Sequence, residues 1–486
     1  MARVPRHFYS QLRHALLRRA VRAALSIGVG IISTILTAPS SYARGAQALV
    51  PDTAATGGPA AQEESASVVN VKDFGATGNG VTDDTAALNA AVTYLKAHRA
   101  VGAGVQGVTS QSYAATLVIP QGRYKVTSTL NWTGLTSLSL EIDCRGCVID
   151  GMTRGTPVID ALGSRWLRVR GLTIFGNSSQ SPSIGLQIGR SNGDSADDHH
   201  FTDLTLVGTF TFTALYDFAS ETTLFDHLLV WNEGVTSSSF GVVLDGINHW
   251  GAASSYVPVT VRKDSEQSFN EALFVNASIM SNSHSGAPIW IAGVSRARFL
   301  SSYAASGRSA CGTVLYANGR WPIVDLSMDV HYETKALRNV FCVDGPAGTD
   351  IASIRGLQYS DQYPEVSDSI FSVTSNVHSV DLRDTQIRID NFLSSSARVF
   401  ENPEIWTVSG QYAEVSGNHW NLAAIRFQGS TDVTGNFSYF GRFQSTAPAP
   451  KSSSSSCSAG QIAVDGNFFY VCTSPNTWKR SPIVKW

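Results

Sequence analysis

Charged residues are scarce in this chain. Asp, Glu, Lys and Arg make up 15% of its 486 residues, where about a quarter is usual. The 36 basic and 38 acidic side chains leave a net charge of -2, so no basic field exists to draw in a nucleic acid. Long apolar runs are missing too. Beyond residue 43 no stretch of the sequence approaches the roughly 20 apolar residues that cross a bilayer as a helix. Gly, Ser, Thr and aromatics are plentiful instead, with 42 glycines and 10% aromatic residues. That profile suits a β-rich protein with many turns, and the length allows a large core and two or three domains.

The N-terminus has the pattern of a targeting segment. Arg3, Arg6, Arg13, Arg18, Arg19 and Arg22 precede the uncharged run AALSIGVGIISTILTA, Ala23 to Ala38. SSYA then offers a small-x-small cleavage site after Ala43. At 16 residues the run is short for a membrane span. Residues 1–43 therefore read as a signal peptide, with an uncleaved anchor as the competing reading. The mature protein is expected to be exported, secreted or periplasmic, and free of the membrane.

Six cysteines in an exported chain permit disulfides. Cys457 and Cys472 bracket a short C-terminal segment and are the expected pair. Cys144 and Cys147 form an isolated C-x-x-C with no second pair to complete a zinc site, so they read as core or turn residues. Cys311 and Cys342 are candidates for unpaired core positions.

Residues 44–66 are small, polar and Pro/Gly-rich, and residues 444–456 contain STAPAPKSSSSS; both read as linkers. The region between them, 67–443, repeats. Short apolar runs begin around Leu186, Leu215, Val242, Ile289, Val314, Val340, Ile370, Val399 and Ile425, at steps of 29, 27, 47, 25, 26, 30, 29 and 26 residues. A second series runs between them through Val169, Phe201, Phe225, Phe269, Ile354, Val380, Val408 and Val433. Each repeat thus holds at least two short strands. Propeller blades need about 40 residues and four strands, so a step near 27 favours a coil of a parallel β-helix with two or three strands.

The stretch NVKDFGATGNGVTDDTAALNAAV, Asn70 to Val92, leads into this region. Ala87, Leu88, Ala91, Val92 and Leu95 follow helical spacing. Asp83 and Asp84 stand before that helix, where Asp and Thr serve as caps and an acid suits the helix dipole. Solenoid ends expose unpaired strand edges, and an amphipathic helix here would cover one.

The motif VKDFGATGNGVTDDTAALNAAV, followed by LVIPQGRYKV from Leu117, resembles the opening of the pectate lyase superfamily. It is most similar to the rhamnogalacturonase/epimerase-like group, which also occurs in phage tailspikes. The resemblance implies an all-β fold, a right-handed parallel β-helix, and action on acidic or branched polysaccharides. Because that fold hosts hydrolases, lyases, epimerases and binding proteins, it does not select a reaction. Tailspike relatives are often trimers, which leaves a homotrimer open. The tail from Cys457 to Trp486 resembles a small C-terminal module of exported and phage-borne proteins, a disulfide-closed β unit for attachment or assembly. Its Trp478 and Trp486 either pack or stack on sugar.

Glycosidic hydrolysis takes an acid and a base or nucleophile, usually two carboxylates. Elimination beside a uronic acid takes a base plus a cation or Arg that stabilises the enolate. The polygalacturonase series of motifs is incomplete here: SHSGAPIWIAG, with His284, weakly resembles its G-H-G element, but the paired aspartates and the R-I-K are missing. The W-x-D-H element of metal-dependent pectate lyases is missing as well. Acids and histidines concentrate instead between Asp194 and Asp245. GDSADDHH holds Asp194, Asp197, Asp198, His199 and His200, and Asp217, Glu221, Asp226, His227 and Glu233 follow in what read as the next turns. Glu221 and Asp226 are the candidate acid and base, with His199 and Asp198 assisting; the competing reading is acids that solvate turns. Asp194, Asp197 and Asp198 offer oxygens to Ca²⁺, although their spacing matches no known loop.

The 47-residue step carries an insertion, roughly 248–267. Long loops in compact domains tend to be functional. Trp250 and Tyr256 offer flat faces for sugar rings, and Arg262 and Lys263 suit carboxylates of an acidic glycan; a solvated loop is the competitor. The resulting expectation is an exported polysaccharide-degrading or -modifying enzyme, a hydrolase or lyase, with no cofactor unless Ca²⁺. Its rivals are a non-catalytic glycan-binding or adhesion protein and an exopolysaccharide epimerase.

Overall fold

Short strands that alternate apolar and polar residues, broken by Gly, Ser and Asn turns, stack here in parallel as three columns. The computed structural model describes residues 68–98, 115–136, 140–190, 198–234, 239–247, 249–250, 271–283, 286–307, 309–333, 337–362, 364–389, 397–402, 405–409, 412–415, 426–427, 449–457, 459 and 461–483. The expected signal peptide and first linker, the insertion's stretch from Tyr256 to Glu266, and Trp486 lie outside these residues.

One column passes through Arg168–Arg170, His200–Thr202, Thr223–Asp226 and Ala272–Val275. The next passes through Thr173–Gly176, Thr205–Gly208, Leu229–Asn232 and Ser278–Ser281. The third is a ten-stranded parallel sheet: β1 (Leu130–Asn131), β2 (Ile159–Leu162), β3 (Ile184–Gly189), β4 (Thr213–Phe218), β5 (Phe240–Asp245), β6 (Ile289–Ala292), β7 (Cys311–Tyr316), β8 (Asn339–Asp344), β9 (Ser369–Val373) and β10 (Arg398–Phe400). The chain is an all-β parallel solenoid, with three strands in each of these coils.

Stacking repeats the same side chain at the coil spacing of about 4.8 Å. Phe201, Phe225, Phe274 and Phe299 form a stacked ladder with ring centroids 5.2, 4.7 and 4.3 Å apart. The in-register member is Phe274, five residues after the Phe269 expected from the repeat. The first series slips too: Leu186, Leu215, Val242 and Ile289 are in register, but Ile289 pairs with Thr313 and not with Val314. Between the first two columns the chain turns through left-handed residues such as Gly171, Asp203, His227 and Asn276. Asp, Asn and His tolerate this conformation, and at Gly171 a Cβ would lie 2.9 Å from the Arg145 backbone.

Helix α1 (Thr85–His98) buries Leu88, Ala91, Val92 and Leu95 in the main core. Asn89 ties it to β1, accepting from the Asn131 amide at 2.8 Å. The helix thus lies along the first strand of the sheet. Asp84 is 1% exposed and accepts from Thr77 N at 2.6 Å, Thr77 Oγ1 at 3.0 Å and Gly78 N at 3.0 Å. Asp83 accepts from the Thr85 amide at 3.0 Å and from the Thr127 hydroxyl. Both acids are spent on holding the glycine turn and the helix start.

All six cysteines are bonded: Cys144 to Cys147, Cys311 to Cys342 and Cys457 to Cys472. The expectation that Cys311 and Cys342 are unpaired is overturned, because β7 and β8 are neighbours and bring their Cα atoms to 5.9 Å, within disulfide reach. The C-terminal residues form an antiparallel sheet of Ile462–Val464, Phe468–Ser474 and Thr477–Pro482. Trp478 packs there with Ala463, Tyr470 and Cys472, so its ring belongs to the core of this small sheet.

Candidate functional site

The ten-stranded sheet differs from the other columns in being buried on both faces. Every residue of β3, β4 and β5 is buried, which explains their continuous apolar runs. Leu186, Leu215, Val242 and Ile289 point into the main core, as do Ile188, Leu244, Ile291 and Leu315. Between them runs an outward column, Gln187, Tyr216, Val243, Trp290 and Val314. This outer face has its own aromatic cluster: Tyr216, Phe218, Phe240, Trp290 and Tyr316 are buried in it, and Phe212, Trp250 and Val314 are partly buried at its edge.

Asp245, at the end of β5, anchors the start of the insertion to that face. Its carboxylate accepts from the Tyr216 hydroxyl at 3.0 Å and from the amides of Ile247, His249 and Trp250 at 3.2, 3.0 and 3.0 Å. Burial raises the Asp245 pKa, and these four donors oppose the rise. The bonds set His249 among aromatic rings, 4.8 Å from Trp250, 5.4 Å from Trp290 and 4.3 Å from Tyr316 between centroids. Burial lowers the His249 pKa from 6.5, against the opposing pull of Asp245 and Asp344. The imidazole is therefore neutral at pH 7, half-buried, and able to accept a proton. Next to Asp344, between the turns after β7 and β8, lies an open pocket of about 430 Å³ lined by residues that include Asn318, Arg320, Pro346, Asp350 and Ile351.

The acids expected to act are distributed otherwise. Asp198 pairs with Arg168 at 2.8 Å and His200 at 3.2 Å, and its amide donates to the Glu221 carbonyl at 2.8 Å. Glu221 is ion-paired with Arg190. Asp226 lies 2.8 Å from the His227 ring nitrogen. Asp198 and Glu221 thus share a corner of adjacent coils, while Glu221 and Asp226 flank opposite ends of strand Thr223–Asp226. At about 3.3 Å per residue roughly 10 Å of backbone separates those ends. His199 is fully buried, and burial first of all holds its pKa down to about 3. It is a neutral ring inside the solenoid, out of reach of a glycan. Asp217 lies in β4 and not in a turn, in register with the core residues Ile188 and Leu244. Tyr256, Arg262, Lys263, His284, Asp194 and Asp197 lie outside the described residues. No group of three His, Cys, Asp or Glu among the described residues is placed to hold a metal.

Two constellations escaped the reading of the sequence. Trp290 and Tyr316 sit in PIWIAG and TVLYANG, segments taken for their inward residues; the alternate residues carry the outer face. The other centres on Asp361, whose buried carboxylate accepts from the Tyr332 amide at 3.0 Å and the Tyr359 hydroxyl at 3.3 Å and lies 3.0 Å from His331 Nδ1. That bond raises the His331 pKa. Asp361 and His331 are 30 residues apart, one coil, and carried no motif.

Residues 68–193 match the family model described as rhamnogalacturonase A/epimerase, pectate lyase-like, which bears out the resemblance carried by the opening motif. No curated protein matches the sequence. Among solved structures, ORF18 of Geobacillus virus E2 is similar at 12% identity and a TM-score of 0.40, over 69% of this chain and 62% of that one. The chain therefore spans less than two thirds of the viral protein. PfbA, a surface adhesin of Streptococcus pneumoniae, is similar at 12% identity and TM-score 0.37, over 85% and 99% of the two chains. An endo-xylogalacturonan hydrolase from Aspergillus tubingensis is similar at 10% identity and TM-score 0.42, over 74% and 94%. No helix among the described residues is long and apolar enough to cross a membrane.

Proposed function

We propose that this chain is an exported protein that holds a polysaccharide at the partly buried edge of the outer face, beside Phe212, His249 and Trp250, and cleaves or modifies it there, with His249 as the proton-transfer group. The observation that carries this reading is the aromatic cluster on that face, with a neutral imidazole fixed at its edge by Asp245. Flat rings bind the apolar faces of sugars, and a neutral imidazole takes a proton from a hydroxyl, a water or a carbon acid. The family match over 68–193 supports a glycan as ligand. A non-catalytic adhesion protein uses the same face, since the four donors on Asp245 leave that carboxylate no spare role in chemistry.

The test incubates the full chain with capsular and plant polysaccharides and follows reducing ends, unsaturated-uronate absorbance and product mass. Expected is a product whose formation is lost in His249→Asn and Trp250→Ala but retained in the double variant Glu221→Gln, Asp226→Asn. A mass gain of water marks hydrolysis, and its absence with new absorbance marks elimination. Activity that survives His249→Asn and disappears in the double variant refutes the assignment. Binding without product selects the adhesion reading.

A further inference from the structure

Asp329 and His331 alternate with core residues along the strand Ser327–Tyr332, and Glu333 follows directly after it; all three are exposed. Side chains two positions apart on a strand share a face, so these stand in a row on the outside of the solenoid. The strand lies in a different sheet from β7 and β8. Each neighbouring coil adds a group. Tyr303, in register with His331 in the preceding coil, brings its ring centroid to 6.2 Å from the imidazole, and its hydroxyl donates to Glu333. Asp361, in the following coil, has a side chain only 1% exposed and lies 3.0 Å from His331 Nδ1. Glu365 is held alongside by its amide, which donates to the Tyr332 carbonyl at 3.0 Å.

The buried carboxylate fixes the ring and occupies Nδ1, while 43% of the His331 side chain is exposed. Proton exchange with anything outside therefore runs through Nε2. Glu333 accepts from Tyr303, and a carboxylate's two oxygens leave acceptor sites for a water. An acid and a base thus face outward from one strand, joined through one tyrosine. Asp329 and Glu365 add further carboxylates beside them. Such a setting stabilises the positive charge that develops at an anomeric carbon during glycosidic hydrolysis. It opposes the enolate of an elimination, and it meets a uronate with like charge.

We propose that His331 and Glu333 form a second catalytic centre, separate from His249, which hydrolyses a neutral polysaccharide lying across this face. His331 Nε2 gives its proton to the glycosidic oxygen, and the C–O bond breaks with its electron pair on that oxygen. Glu333 takes a proton from a water, whose oxygen bonds to the anomeric carbon. One water is consumed and one reducing end appears; the proton on Glu333 returns to His331 through solvent. Asp361 and Tyr303 are positioning residues, the first for the imidazole and the second for the carboxylate.

The test incubates the full chain with neutral glucans, xylans, galactans and mannans and, in parallel, with polyuronates, and follows reducing ends, unsaturated-uronate absorbance and product mass. Expected are fragments of a neutral glycan that show a mass gain of water. His331→Gln and Glu333→Gln each lower kcat by roughly 10²–10⁴-fold while the melting temperature holds, since both residues are exposed. The hydrogen bond to Asp361 raises the His331 pKa from 6.5, and the protonated form is the active one. Activity therefore falls as pH rises through that raised value, and Asp361→Asn moves this limb to lower pH. Tyr303→Phe lowers kcat and leaves KM unchanged. No product from any neutral glycan, a product that survives His331→Gln, or a limb that stays in place in Asp361→Asn overturns the proposal. Unsaturated uronate as the only product overturns it as well.

Discussion

Asp217 makes the stability of the solenoid depend on pH in an unusual direction. Its carboxyl stands in β4 within the main core, between Ile188 and Leu244 of the neighbouring strands, and is fully buried. Burial raises its pKa from 3.8 to about 7, against the opposing hydrogen bonds of Ser220. Between these values the folded chain binds a proton that the unfolded chain has released, so stability falls as pH rises. Each tenfold change in proton affinity is worth about 1.4 kcal/mol, so the loss between pH 4 and pH 8 is on the order of 4 kcal/mol. Asp217→Asn removes the titration. Urea unfolding of both proteins at a series of pH values, followed by tryptophan fluorescence, gives the difference in stability. That difference is expected to shift in favour of the Asp217→Asn variant by about 4 kcal/mol from pH 4 to pH 8 and to level off above pH 7. Comparing the two pH values cancels the constant effect of the amide. A difference that stays flat across the range refutes the reasoning.

Three further outcomes are expected. If His249 is the base, activity falls on the acid side only below the ordinary histidine value of 6.5, since burial lowers its pKa; His249→Asn removes that limb along with roughly 10²–10⁴-fold of the rate. Phe274→Ala empties the centre of the phenylalanine ladder between Phe225 and Phe299, and calorimetric melting should report a loss of about 3–5 kcal/mol. Replacing Cys311 and Cys342 together by Ser opens a link across 31 residues; loop-closure entropy puts the cost at about 3 to 4 kcal/mol in urea unfolding.

What could be read from residues alone was whatever the coil repeat imposes. The leading positions Leu186, Leu215, Val242 and Ile289 recur because each fills the same slot in the interior, and the structure keeps them in register. Phase was less legible, since turns of unequal length separate strands of fixed spacing, and Phe269 was taken where Phe274 stacks. Parity was harder still. In a strand buried on both faces no polar residue marks the outside, so Trp290 and Tyr316 looked like core. Asp217 looked like a turn acid because an isolated carboxyl in ALYDF has no sequence signature of burial. Asp245 and His249 were visible as residues, but their bond is made by a backbone amide, which every residue except proline carries.

The insertion after β5 has a consequence for how this protein can change. Val242 and Ile289 pair directly although 47 residues separate them, while neighbouring coils are spaced by 27 and 25. Strand pairing therefore ignores how much chain is looped out between coils, and loop-closure entropy grows only slowly with length. The segment behaves as an exchangeable cassette on an indifferent frame. On the proposed reading, grafting that replaces residues 251–270 and keeps the amides of Ile247, His249 and Trp250 on Asp245 changes which sugar is recognised at little cost to the coils.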